Sequence, residues 1–208
     1  MKEDKYKMKI AIATKNNHKI KELSRLIHID GIEFISLSDL GFDGEIVEDG
    51  NSFGENALIK AKFVCDKFGI PAIADDSGLC VDALGGEPGI YSARYASENG
   101  ENSDDEANID KLLGKLETIP SGERSGRFVC SMAFASPDGT SFHVDGICEG
   151  HITSERRGNG GFGYDPVFYC TKICKTFGEA SEEEKNEVSH RYHACRLLSE
   201  KLKEYLNK

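Results

Sequence analysis

Strands and helices take turns along the first half of this chain, and that alternation limits the fold more than any other feature. Lys9-Ile-Ala-Ile-Ala13 is a short apolar strand pattern, and the six residues after it are polar. Ile20, Leu23 and Ile27 then recur at helical spacing, which predicts a helix starting near Asn17. Glu33 to Leu37 reads as a second strand, and Gly41 to Gly50 as an acidic loop. Ser52-Phe-Gly-Glu55 is a capping box, and the helix it opens runs to about Phe68, where Gly69 and Pro71 stop it. A third apolar strand begins at Ala72, and the glycine-rich connection Gly85-Gly-Glu-Pro-Gly89 follows. Ser103-Asp-Asp-Glu106 has the pattern of another capping box ahead of Ile109, Leu112, Leu113 and Leu116. The second half changes character. Phe128, Cys130, Met132 and Phe134 alternate with smaller residues, and Pro137-Asp-Gly139 turns into a strand near Ser141 to Glu149. A glycine-rich loop over Arg156 to Tyr164 and a short strand after Asp165 come next. A last helix begins near His190, with Cys195, Leu198, Leu202 and Tyr205 on one face. Strand–helix units followed by a hairpin predict an α/β protein with a mixed sheet.

At 208 residues the chain is long enough for one large domain or two small lobes. No run is long and apolar enough to span a membrane, and Met1 to Met8 is charged, without the apolar region of a signal peptide. The expected location is the cytoplasm. A formal net charge of −10 disfavours a general nucleic-acid binder, which needs a basic surface. A small anionic substrate needs only a local cluster of cations. The 7 cysteines are odd in number and scattered, and Cys170 and Cys174 have no second pair at zinc-like spacing, so cytosolic thiols are expected.

Five segments carry residues suited to chemistry. In Ala72-Ile-Ala-Asp75-Asp76-Ser77-Gly78-Leu79 an apolar strand runs into two adjacent carboxylates. Neighbours on a strand point to opposite faces, so the two Asp are expected to do different jobs. Carboxylates there suit a cation such as Mg²⁺, and Asp, Ser and Gly together suit a plain turn. Thr14, Lys15, Asn16, Asn17, His18 and Lys19 surround a helix start. That placement offers backbone N–H groups and two ammoniums to a phosphate, and it also makes an ordinary Asn cap. No Walker A loop is present, because its glycines and its Gly-Lys-Ser/Thr are missing. Glu55 has a local job in its capping box. Glu48 has none, which makes it a candidate metal ligand or base, with a solvated acidic loop as the plainer alternative. Lys60 can reach solvent or a phosphate. The loop Arg157-Gly-Asn-Gly-Gly-Phe162-Gly163-Tyr164-Asp165-Pro166 lets backbone approach a ligand, an aromatic stack on a planar base, and an acid accept from ring N–H groups. A tight turn with packed aromatics is the plainer alternative, and the glycine density with Phe, Tyr and Asp embedded in it favours the site. Lys185, His190 and Arg191 bring donors to a helix start, where Ser189 can serve as a cap with two exposed basic residues after it.

Taken in order, these segments resemble the Ham1/RdgB family of inosine triphosphate pyrophosphatases, which act on XTP and dITP. The matching pieces are Thr14 to Lys19, Glu48 with Ser52-Phe-Gly-Glu-Asn-Ala57, Ile73 to Leu79, Gly85 to Tyr95, Gly160 to Pro166, and Lys185 with Ser189-His-Arg191. Lys15 stands where many members carry glycine. The resemblance covers the chain from Lys9 onward and leaves residues 1–8 as an extension before a single domain, 9–208, of two lobes. It implies an elongated α/β fold with a long mixed sheet, flanking helices and a central cleft. It also implies a homodimer that hydrolyses non-standard purine nucleoside triphosphates (ITP, dITP, XTP) to the monophosphate and pyrophosphate with Mg²⁺; from charge and hydropathy, neither nucleic acid nor membrane is an expected partner. Carried over, Thr14 to Lys19 and Lys60 bind the triphosphate, and Asp76 is general base and metal carboxylate. Ser77 contacts substrate. Phe162, Gly163, Tyr164, Asp165, Lys185, His190 and Arg191 hold the nucleotide. Glu48 is the second metal carboxylate, with Glu45 as the nearby alternative. A nucleotide sensor without catalysis, and a Maf-like pyrophosphatase acting on other bases, are the competing readings.

Overall fold

The computed structural model describes residues 8–207. Most of the expected extension therefore lies outside the described residues, and Met8 already belongs to strand β1 (Met8–Ile12). The two faces of β1 divide the core. Ile10 and Ile12 enter one face, Ala11 and the following Ala13 the other, and all four are buried. Helix α1 (Asn17–Leu26) follows, with Leu23 buried and Ile27 buried just beyond its end. Strand β2 (Ile32–Ser36) lies parallel to β1, with Phe34 opposite Ile10. Helix α2 (Phe53–Phe68) starts where Ser52 Oγ accepts the Glu55 N–H at 3.2 Å, and ends on Gly69 at φ 65°. A left-handed cap of this kind favours glycine, which has no Cβ to strain.

Strand β3 (Ala72–Val81) is parallel to β1, pairing Ala72 with Ala11. It runs well past the two carboxylates, so Asp75 and Asp76 sit mid-strand and not at a strand end or in a turn. Next come helix α3 (Asp105–Leu116), strand β4 (Ser125–Ala135), strand β5 (Ser141–Ile152), short strands β6 (Phe168–Cys170) and β7 (Lys175–Thr176), and helices α4 (Glu182–Val188) and α5 (His190–Leu206). Among the described residues the sheet is 7-stranded, in the order β2-β1-β3-β4-β5-β6-β7. It is mixed, because β5, β6 and β7 pair antiparallel. The Ser103–Glu106 box does not form. Asp104 is the cap residue of α3, and Ser103 Oγ instead donates to Asn108 Oδ1 at 2.8 Å.

Two compact units divide the chain. The first holds the described residues up to Asp76, with Ser131–Asp145 and those from Ala194 on; the second holds Ser77–Cys130 and Gly146–His193. Strands β3, β4 and β5 and helix α5 each contribute to both. In the first unit Ala57 and Ala61 of α2 pack among Ala11, Ala13, Ala72, Ala74, Ala133 and Ala135. Side chains this small let the helix backbone approach the sheet closely. The second unit is filled by bulk: Leu79, Val81, Ile109, Leu112 and Leu116 surround Phe128, Phe168 and Phe177, whose rings lie 4.6–5.9 Å apart. All 7 cysteines are free thiols, five of them buried. Among the described residues no helix is long and apolar enough to cross a membrane.

Candidate active site

The strand period separates Asp75 from Asp76. Ala72, Ala74 and Asp76 share the face that carries α2, while Asp75 points the other way, toward α1. Asp75 is 1% exposed and meets Lys19 Nζ of α1 at 2.9 Å. Asp76 meets two residues of α2 one helical turn apart. Asn56 Nδ2 donates to its Oδ2 at 3.0 Å, and Lys60 Nζ lies 3.8 Å from its Oδ1. The same ammonium lies 3.2 Å from Glu48 Oε2, so the two carboxylates converge on one cation. Glu45 is exposed. Burial pushes the Asp76 carboxyl above its ordinary range and Glu48 adds to the rise, against the pull of Lys60, Lys19 and the Asn56 hydrogen bond.

The segment ahead of α1 is a cap as well as a candidate anion site. Asn16 Oδ1 accepts the Lys19 N–H at 3.3 Å, and Thr14 Oγ1 accepts the Asn16 N–H at 3.2 Å. Lys15 Nζ donates to the Asp43 carbonyl. The side chains of Asn17 and His18 lie outside the described part of the structure. Asn56 is the residue that the sequence left without a role. Its signal was its spacing: Asn56 and Lys60 are four apart, on one face of a helix whose start is fixed by Ser52.

In the second unit Ser77 opens the remainder of β3, and its Oγ accepts from Arg191 Nη2 at 3.1 Å. Gly78 follows because a Cβ there would lie 2.3 Å from Ser92 Oγ and 2.6 Å from the Gly89 carbonyl. Arg191 is 2% exposed and His190 5%. His190 stacks on Phe128 with centroids 4.7 Å apart. The two are therefore built into the unit and are not exposed basic residues behind a cap, although Ser189 Oγ does accept the Tyr192 N–H at 3.1 Å.

The glycine-rich loop is organised by Asp165. This carboxylate is 2% exposed, accepts the Phe162 N–H at 2.9 Å and pairs with Lys185 Nζ at 2.5 Å. Phe162 is half-buried, with Lys185 Nζ 5.0 Å and the Arg191 guanidinium 5.8 Å from its ring. Gly163 donates its N–H to Asp105 Oδ2 of α3 at 2.7 Å. Tyr164 is a core residue, its hydroxyl donating to the Ser92 carbonyl at 2.9 Å. Gly161 cannot be replaced freely, since its φ is +76° and a Cβ would fall 1.9 Å from Asp165 Oδ2. Gly161→Ala is expected to cost about 1–3 kcal/mol from backbone strain alone. Thermal melting checks this, and a variant that melts with the wild type removes the requirement.

All these residues fall within the stretch, residues 10–201, that matches the sequence profile of the Ham1 family. The chain belongs to that family. The dITP/XTP pyrophosphatase of Halalkalibacterium halodurans is 48% identical over 187 residues, covering 90% of this chain and 95% of that protein. That of Bacillus cereus is 46% identical over 198 residues, covering 94% and 95%. Among solved structures, the Ham1 protein of Staphylococcus aureus superposes with a TM-score of 0.85 at 41% identity, over 95% of this chain and 99% of that one.

Proposed function

We propose that this chain is a hydrolase of acid anhydrides that converts ITP, dITP and XTP to the monophosphate and pyrophosphate, clearing them from the nucleotide pool. The observation that carries the proposal is the convergence of Asp76 and Glu48 on Lys60, at 3.8 and 3.2 Å, in a chain with this family's scaffold. The names of its relatives supply the substrate class.

The donor set fits a magnesium ion. Among the described residues no three His, Cys, Asp or Glu side chains gather as a metal site. Two carboxylates, with water and phosphate oxygens completing the shell, are a usual Mg²⁺ composition. Glu48 and Asp76 would hold it, and the nearby ammonium shows that this corner accommodates positive charge. When bound, Mg²⁺ supplies charge that offsets the polyphosphate.

In the proposed reaction, water attacks the α-phosphorus and Asp76 takes its proton. The new P–O bond forms as the bond to the bridging oxygen breaks, and pyrophosphate departs. Burial raises the Asp76 carboxyl, which makes its carboxylate a stronger base. Lys60, Lys15, Lys19 and the first N–H groups of α1 offset charge on the departing group. By the family resemblance, Phe162 offers a ring to the purine, while Lys185, His190 and Arg191 supply donors. Hypoxanthine and xanthine present an oxygen at position 6, where adenine presents an amino group. A donor meeting a donor costs about 1–3 kcal/mol per unpaired buried group, roughly 5–150-fold against ATP. Asp165, already engaged inside the loop, acts here by holding Lys185 and Phe162. Homodimer assembly, which rests on the family resemblance, and a cytoplasmic location belong to the same proposal.

Pyrophosphate release from ITP, XTP, GTP and ATP, with and without Mg²⁺, tests the whole reading. Metal-dependent release from ITP and XTP, with little from GTP and ATP, is expected. Binding of ITP without release from any of them would make the protein a nucleotide sensor.

A further inference from the structure

Asn56 is 1% exposed, and both ends of its amide are used. Nδ2 donates to Asp76 Oδ2 at 3.0 Å, and Oδ1 accepts the Gly50 N–H at 2.9 Å. The chemistry fixes which end is which. A backbone N–H requires an acceptor, and an ionised carboxylate requires a donor. Gly50 lies two residues beyond Glu48 in sequence. Its fit is close, because a Cβ there would come within 2.7 Å of Asn56 Oδ1 and 3.0 Å of the Asn56 backbone N. One side chain, anchored on the same face of α2 as Lys60, therefore ties the loop that carries Glu48 to the carboxylate of Asp76.

We infer that Asn56 is a positioning residue, which fixes the rotation of the Asp76 carboxylate and its placement relative to the Glu48 loop. The inference deepens the proposed pyrophosphatase reading and rests on it for the role of Asp76. With Oδ2 held by the amide, Oδ1 is the oxygen on the Lys60 side. No other common side chain does both jobs at this reach. Asp keeps the bond to Gly50 but sets a second carboxylate against Asp76. Leu or Ala supplies neither partner, and Gln adds a methylene to a fully buried site.

Two variants and two readouts test this. In Asn56→Ala, kcat for pyrophosphate release is expected to fall about 10–100-fold with KM for ITP little changed, the range for a group that orients a ligand or base from behind. Binding of Mn²⁺ alone, followed by electron paramagnetic resonance without nucleotide, is expected to weaken about tenfold. Asn56→Asp keeps the tie to Gly50 and loses the donor to Asp76, so its kcat is expected to fall with that of Asn56→Ala. A merely structural amide would leave Asn56→Asp near the wild-type kcat, and that result overturns the inference. So does unchanged Mn²⁺ affinity in a folded Asn56→Ala. Should Asn56→Ala fail to fold, the kcat of Asn56→Asp decides. Should the wild type release no pyrophosphate, the pyrophosphatase reading falls, and the Mn²⁺ titration still decides whether Asn56 orders the carboxylates.

Discussion

Asp76→Asn is expected to lower pyrophosphate release from ITP by about 10²–10⁴-fold, the usual contribution of a positioned general base, with a melting temperature close to the wild type. The two halves of that expectation have separate causes. An amide cannot take a proton from water, so the rate falls. The amide oxygen can still accept from Asn56 Nδ2, which now stands 3.0 Å from Asp76 Oδ2. Lys60 keeps Glu48 at 3.2 Å. Burial already disfavours the charge on Asp76, so a neutral group of the same shape recovers desolvation free energy while losing attraction to Lys60. Initial rates at saturating Mg²⁺ and a melting curve check both halves. A variant with near wild-type rates removes Asp76 as the base. A variant that does not fold makes Asp76 structural.

The separation of Asp75 from Asp76 was legible in the sequence because the period of a strand is a rule of geometry. The full length of β3 was not. Asp, Asp, Ser and Gly have the composition of a turn, and here parallel pairing upstream and burial on both sides carry the strand through to Val81. Tertiary context overrides local preference in this case. At Ser103 the same tension runs the other way. The residues of a capping box are present, but Asn108 offers Ser103 Oγ a partner at 2.8 Å and the helix begins at Asp105. Helix α4 was missed although it carries a complete capping box, Ser181 with Glu184, because it is only 7 residues long and its exposed acidic run shows no apolar period.

The candidate residues were legible as chemical types, and their partners were not. Lys19 and Lys60 read alike as cations for a phosphate, and Lys185 as a donor to the nucleotide. In the fold Lys19 faces Asp75 at 2.9 Å, Lys60 faces Glu48 at 3.2 Å and Asp76 at 3.8 Å, and Lys185 faces Asp165 at 2.5 Å. Spacing along the chain cannot reveal such pairs when sheet pairing brings distant segments together. His190 and Arg191 show the same gap, since a polar pair after a cap residue reads as exposed until Phe128 and Ser77 are placed against it.

Lys185→Met is expected to lower stability by about 3 kcal/mol, a fall of roughly 6–12 °C in melting temperature for a chain of this size. Lys185 is 7% exposed and Asp165 2%, and aromatic rings stand 5.0 and 5.3 Å from the ammonium. Removing the cation leaves a buried carboxylate to be compensated by the Phe162 N–H and its other contacts, which is the costly way to break such a pair. Removing both charges is cheaper. Lys185→Met with Asp165→Asn is expected to recover most of the lost stability, because Asn can still accept the Phe162 N–H and carries no charge. Activity separates the pair's two roles. If Lys185 also donates to the purine, the double variant regains stability and its KM for ITP stays raised. A double variant that regains both would confine Lys185 to holding the loop. A single variant that melts with the wild type would show that water already screens the pair, which contradicts the burial of both partners.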